Sequence, residues 1–261
     1  MRLLVKIGGT LLDAEDSRRR LCREVAAAAR EGHQVVVVHG GGRQVTRFLS
    51  ERGVDSRFID GLRVTTPETL DAVLKVLAGS VNKQLVAAMI EAGAKAVGLS
   101  GIDAGLVEAE PLRPELGQVG RPVRSDPALL TCLVGAGYLP VVACVAGDRQ
   151  GRIYNVNADQ MAVTCAAGFQ AERLIFLTDV DGVLGQDKQP LPLLSLRGSQ
   201  DLVRRGLATG GMQAKLNAAA EALRNGVQQV VIAPGNAEAG IARLLAGEAL
   251  GTRLVQEAAN E

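Results

Sequence analysis

Three glycine-rich turns stand where strand-like runs end or a helical pattern begins: Gly8 and Gly9 after Leu3–Ile7, Gly40 to Gly42 after the run VVVVH, and Gly210 and Gly211 ahead of Gln213–Arg224. A strand that ends in glycine and feeds a helix presents backbone N–H groups, with the helix dipole favouring negative charge and no Cβ to keep an anion away. Such a turn can cradle an oxyanion or a phosphate. One of them would say little, because many connections use glycine for turn geometry alone; three point to phosphate chemistry. Neither G-x-x-x-x-G-K-[ST] nor G-x-G-x-x-G occurs in the chain, so the usual P-loop and dinucleotide fingerprints are excluded.

The charged residues near these turns fit the same chemistry, each beside a plainer alternative. Lys6 interrupts an apolar strand, and a buried ammonium needs an anion beside it. An edge-strand lysine that discourages aggregation is the rival reading; the adjoining Gly8-Gly9-Thr10 favours function. Lys215 follows Gly210 and Gly211 within the first turns of a helix, where, taken alone, a solvated position explains it better. In YNVNADQ, Asn157 suits a helix N-cap, which leaves Asn155 and Asp159 unexplained; a carboxylate between two lysines would hold them apart without itself reacting. Arg63 precedes a Thr-Thr-Pro helix start in which Pro67 and Glu68 suit the first turn. Its planar fork could grip a carboxylate, or it could be a surface arginine. The loop Asp179–Leu184 bends through two aspartates and a glycine, as a metal loop, a nucleotide-contacting turn or an ordinary β-turn would. His39, beside its glycine turn, reads as structural. With only two histidines and scattered cysteines, a protein-bound zinc site is not expected.

These residues must be positioned by alternating elements. Strand-like runs at Leu3–Ile7, Val35–Val38, Ala96–Leu99, Leu139–Cys144, Leu174–Leu177 and Val230–Ile232 alternate with helical patterns such as Arg18–Arg30 and Asp126–Ala136. That alternation predicts an α/β fold, a three-layer αβα sandwich with a mainly parallel central sheet. Asp103–Arg124 reads as a hairpin elaboration near the site, and Phe169–Glu172 as a soft boundary between an N-lobe (1–170) and a C-lobe (171–261) sharing one sheet. At 261 residues, 47% hydrophobic and with net charge +1, the chain can bury a full core, and its balance of charge excludes a strongly basic nucleic-acid binder. Cys22, Cys132, Cys144 and Cys165 form no C-x-x-C and read as buried thiols in a reducing compartment. The start, MRLLVKIGG, is too soon interrupted by Lys6 for a signal peptide, and no apolar run is long enough to span a bilayer, so a cytoplasmic location is expected.

Taken in order, VKIGG, HGGG, GLRVT, NVNADQ, LTDVDGVL and GGMQAKLNAA resemble the N-acetyl-L-glutamate kinases of the amino-acid kinase family, a likeness that runs from Leu3 to Leu254. The resemblance implies the amino-acid kinase or carbamate kinase-like fold and ATP-dependent phosphorylation of the γ-carboxylate of N-acetyl-L-glutamate, in arginine biosynthesis. It implies that Lys6 and Lys215 stabilise the transferred phosphoryl group, that Asp159 orients them, and that Gly8, Gly9, Gly41 and Gly42 supply N–H groups to phosphate and substrate. Arg63 and Asn155 would bind the amino-acid substrate. Asp179, Val180, Asp181, Gly182, Val183 and Leu184, with Leu207, Ala208 and Thr209, would contact the nucleotide. Mg²⁺ would arrive with ATP, held by phosphates and water rather than by a protein cage. Arginine-inhibited members of the family carry an N-terminal helix; this chain begins at a strand, so an arginine-insensitive homodimer is expected, without a PII-type partner. The rival substrates are N-succinylglutamate and a carrier-protein-linked aminoadipate or glutamate of lysine biosynthesis; the rival class is a catalytically silent sensor of ATP or an amino acid, disfavoured by the presence of Lys6, Lys215 and Asp159 together.

Overall fold

The β-branched runs pair side by side into one eight-stranded sheet. In a computed structural model that describes residues 1–256, its order from edge to edge is Leu193–Ser195, Thr252–Val255, Gln229–Pro234, Arg173–Thr178, Arg2–Ile7, Gln34–His39, Leu139–Ala143 and Ala96–Ser100. Residues 257–261, part of the expected C-lobe, lie outside that description. Six strands are mutually parallel. Thr252–Val255 runs antiparallel to Gln229–Pro234, and Leu193–Ser195 runs with it. Helices cover both faces, which is why Arg2–Ile7 and Gln34–His39 are apolar almost throughout instead of alternating.

The six strands read from the sequence are found within one or two residues at each end. Leu193–Ser195 and Thr252–Val255 escape that reading because they are short and lie toward one edge, with only alternate residues well buried. The expected hairpin forms from Val107–Pro111 and Val119–Ser125, and with Val145–Gly147 and Ile153–Val156 it closes a small four-stranded barrel. This barrel carries Asn155 directly to the helix Ala158–Phe169.

Two expectations are corrected. The continuous helical stretch Pro67–Glu91, 25 residues long, is long and apolar enough to cross a bilayer by length and composition. Asp71, Lys75 and Lys83 break up its apolar runs, so it shows no long uninterrupted hydrophobic segment. Val73, Leu77, Val81, Leu85 and Met89 place one of its faces in the core, with Leu70 also buried, which accounts for its composition. The second correction concerns Cys132, which is exposed while Cys22, Cys144 and Cys165 are buried; among the residues of its helix, Ala128–Gly135, only Leu130 is fully covered.

Phe176 is fully buried in the strand beside Lys6 and pairs in register with it. Replacing it by alanine leaves a cavity between the sheet and its helices. Urea denaturation of Phe176→Ala should show a loss of about 3–5 kcal/mol.

Candidate active site

The parallel register aligns Ile7 with His39, so the glycine turns that follow the two strands lie against each other. A Cβ on Gly9 would sit 2.9 Å from Gly41 N and 3.1 Å from Gly41 Cα. No side chain fits between the two turns. Gln44, in the first turn of the helix Gly42–Ser50, ties them together: its Nε2 donates to Gly9 O at 3.1 Å and to Asp13 Oδ1 at 2.8 Å. No side chain caps that helix, and none caps Gly210–Arg224, which leaves both helix N-termini to an anion.

At the centre stands a buried ion triad. Lys6 Nζ lies 2.6 Å from Asp159 Oδ1, and Lys215 Nζ lies 3.5 Å from Asp159 Oδ2. Asp159 is held by local structure: Asn157 caps its helix, Oδ1 accepting from Asp159 N at 2.8 Å and from Gln160 N at 3.3 Å. Burial alone would raise the Asp159 carboxyl; Lys6 and Lys215 outweigh it and hold the group below the ordinary carboxylate range.

Beside the triad opens a cleft of about 170 Å³, lined by Gly40 to Gly42, Arg63, Cys144 and Asn155 among others. The Arg63 guanidinium is fixed by Ser56 Oγ, by Gly42 O and Thr46 Oγ1, each at 2.8 Å from Nη2, and by the ring of Phe58 at 4.7 Å. Asn155 Nδ2 donates to Thr65 Oγ1 at 3.0 Å, and that hydroxyl donates to Arg63 O at 2.9 Å. Thr65 therefore links Arg63 to Asn155. Of the sequence candidates, Lys6, Asp159 and Lys215 meet directly, Gly9 abuts Gly41, and Gly41, Gly42, Arg63 and Asn155 share the cleft. Gly8 departs from the expectation that it offers an N–H to phosphate: its N–H donates to Leu177 O at 3.1 Å, next to the strand end from which Asp179–Leu184 departs.

In that loop Asp179, Val180, Asp181 and Leu184 are exposed, while Gly182 and Val183 are pinned by Thr252, whose Oγ1 accepts from Val183 N at 2.8 Å. Leu207 is exposed and Ala208 buried just before Thr209 and the helix that carries Lys215. The sequence reading missed Thr65, Gln44 and the groups that hold Arg63. Thr65 stands two residues after Arg63, a spacing that acquires meaning only with the fold, and Gln44 carries no sequence signal beyond its place in a helix's first turn. His39 is fully buried, and burial lowers its pKa to about 4.

Ammonium groups around one carboxylate, uncapped helix N-termini and paired glycine turns on an αβα sandwich define an enzyme site of the phosphoryl-transfer class. The chain belongs to the amino acid kinase family, whose model matches residues 1–234. It is 64% identical to the acetylglutamate kinase of Solibacter usitatus over 98% of this chain and 99% of that protein, and 46% identical to that of Acidobacterium capsulatum over 91% and 92%. Among solved structures, the N-acetylglutamate synthase from Neisseria gonorrhoeae complexed with coenzyme A and N-acetyl-glutamate has a TM-score of 0.86 at 25% identity, covering 99% of this chain; this chain spans 60% of that one. Carbamate kinase from Giardia lamblia shares the fold at TM-score 0.72 and 16% identity, with 98% of each chain covered.

The depressed Asp159 carboxyl and the depressed His39 imidazole give stability the same sign of pH dependence. Asp159 contributes stability above its unfolded-state value that is lost as pH falls through its lower folded-state value. His39 contributes stability that is complete above pH 6.5 and lost on the way down to about 4. Chemical denaturation should therefore give a lower unfolding free energy at pH 4.5 than at pH 7.5. In Asp159→Asn the neutral-pH value should drop on the order of 3 kcal/mol, the scale for stranding a buried charge, with a smaller gap from wild type at low pH.

Proposed function

We propose that the protein transfers the γ-phosphoryl group of ATP to the γ-carboxylate of N-acetyl-L-glutamate, giving N-acetyl-L-glutamyl 5-phosphate and ADP, as a step of arginine biosynthesis in the cytoplasm. The observation that carries the reading is the Lys6–Asp159–Lys215 triad set against a cleft that ends in a fixed arginine. The 64% identity to an acetylglutamate kinase supports the choice of substrate.

A carboxylate is already a competent nucleophile at neutral pH, so the reaction needs no general base. A carboxylate oxygen bonds to the γ-phosphorus while the bond from phosphorus to the ADP oxygen breaks. The barrier is electrostatic, because two anions must approach in line. In this reading Lys6, Lys215 and the N–H groups of Gly9, Gly41 and Gly42 meet the negative charge of the phosphoryl oxygens, Gly8 gives the chain room at the turn while its own N–H stays on Leu177 O, and Asp159 keeps the lysines apart. Arg63 takes the α-carboxylate, and the Asn155 side-chain carbonyl, whose amide is committed to Thr65, accepts from the acetamide N–H.

ATP belongs to the C-lobe, 171–261, through Asp179–Leu184 and Leu207–Thr209, whose exposed Val180, Leu184 and Leu207 suit the flat faces of a nucleotide. The N-lobe, 1–170, holds the amino-acid substrate. The donors around the triad are ammonium and N–H groups, which suit phosphate oxygens, so Mg²⁺ would enter on ATP with waters as its other ligands. When bound it supplies charge neutralisation of the phosphates. A homodimer completes the reading, supported by the single-sided pairing of the edge strand Ala96–Ser100 and the exposure of Ile90 on the adjoining Pro67–Glu91 helix.

ATP-dependent acyl phosphate, trapped with hydroxylamine, should form from N-acetylglutamate in preference to N-succinylglutamate, free glutamate and N-acetylaminoadipate. Inertness of all four with ATP still bound would transfer the substrate to a carrier protein or make the chain a sensor. In the same assay Lys6→Ala and Lys215→Ala should each lower kcat by roughly 10²–10³; near-normal turnover in both would displace the site.

A further inference from the structure

The strand Ala96–Ser100 contains a glycine, Gly98, at an ordinary extended position that calls for no special backbone. What it provides is room. A Cβ there would collide with Asn82 Oδ1 and lie 2.6 Å from Lys83 Nζ. Asn82 is the first residue after the π-helical stretch Leu74–Val81, and it is fully buried. A π-turn shifts the phase of the helix face that follows it. Here the residue that emerges against the sheet is polar and reaches across three strands: Asn82 Nδ2 lies 2.9 Å from Val141 O, 3.4 Å from Leu99 O and 3.1 Å from His39 Nε2. Lys83 Nζ donates to Asn82 Oδ1 at 3.2 Å.

These contacts fix a tautomer. Two of the partners at Nδ2 are carbonyl oxygens, which only accept, so this end of the amide is the NH₂ end. His39 Nε2 is then an acceptor, and the ring proton lies on Nδ1, which donates to Gly40 O at 2.9 Å. Burial keeps the ring neutral, with its pKa lowered to about 4. In a trans peptide the C=O and the following N–H point in opposite directions. Holding the Gly40 carbonyl toward His39 therefore turns the Gly41 N–H away from it, and Gly41 lines the cleft.

We propose that Asn82 and His39 are positioning residues that lock the Gly40–Gly41 peptide so that the Gly41 N–H is aimed at the reacting oxygens, and that Gly98 exists to admit Asn82. The inference deepens the proposed kinase reaction and rests on it for its kinetic readout, while its structural readout is independent. Neither side chain touches substrate; each acts through the peptide it holds.

The test uses Asn82→Ala, Gly98→Ala and the double variant. Asn82→Ala opens a void and frees His39, so both melting temperature and kcat should fall, kcat by roughly 10- to 100-fold, the scale of a misplaced or lost oxyanion donor. KM for ATP should stay near the wild-type value. Gly98→Ala should reproduce the kinetic loss by expelling Asn82. In Asn82→Ala/Gly98→Ala the new methyl group occupies vacated space, so the melting temperature should rise above that of Asn82→Ala while kcat stays low. Recovery of kcat together with melting temperature would reduce the cluster to packing and overturn the proposal. Nitrogen-15 NMR gives the independent readout. Wild type should show His39 protonated on Nδ1 alone, and the double variant should shift the Gly41 amide resonance. A His39 ring protonated on Nε2, or a Gly41 amide indifferent to the double substitution, overturns the proposal even if wild type proves inert toward N-acetylglutamate, an outcome that would sink the kinase reading separately.

Discussion

Two ammonium groups can be brought to one buried site only if a fixed anion stands between them, and Asp159 is that anion. Without it, Lys6 would lose the partner that offsets its desolvation, and mutual repulsion would drive Lys215 outward. The rest of the structure serves this arrangement. Lys6 is rooted in a central strand, flanked by Arg173–Thr178 on one side and Gln34–His39 on the other, so its backbone cannot yield. Asp159 sits in the first turn of its helix, where the dipole and the Asn157 cap both favour the carboxylate. Lys215 approaches on the helix Gly210–Arg224, which starts with glycines.

The second constraint is the density of backbone at the strand ends. Phosphate binding by N–H groups requires bare main chain, and past the strand ends, where Gly40 N still donates to Ile7 O, two bare turns placed side by side have no side chains of their own to brace them. Gln44 supplies the missing connection by bridging to Gly9 and Asp13. Arg63 adds another tie, because one of its nitrogens holds Gly42 O. The arginine thus shapes the glycine turn as well as the cleft, and its geometry is set before any ligand arrives.

Much of this was legible from the residues, for identifiable reasons. Strands buried on both faces are written as runs such as VVVV, which leave little ambiguity, and the glycine turns, Lys6 and Asp159 lie within a few residues of such runs. Thr65, Asn82 and Gly98 were not legible because their roles depend on which segments pair. A threonine in GLRVTT or a glycine in AVGLS has no periodic signature, and Asn82 comes into play through a π-helical stretch that helical spacing does not foresee. Cys132 was misjudged on the same ground: an apolar sequence such as ALLTCLV suggests burial, yet its helix leaves the thiol exposed.

The triad is also asymmetric, and the asymmetry bears on how charge can be handled as it moves. Lys6 is almost sealed from solvent and lies 2.6 Å from its carboxylate oxygen, whereas Lys215 has a side chain 18% exposed and lies 3.5 Å away. In the proposed reaction a close, dry contact would cost no reorganisation as negative charge develops nearby, which suits Lys6 to the part of a preset donor. A looser contact on a long, partly solvated stem can shorten toward a new anion at small cost, because the interaction it gives up was never at full strength. In the proposed reaction Lys6 therefore suits an oxygen whose position is constant through the transfer, and Lys215 suits one that gains charge as the bond to ADP breaks. Asp159 can serve both only because its two oxygens are assigned separately, one to each lysine, which a shorter or single acceptor could not do.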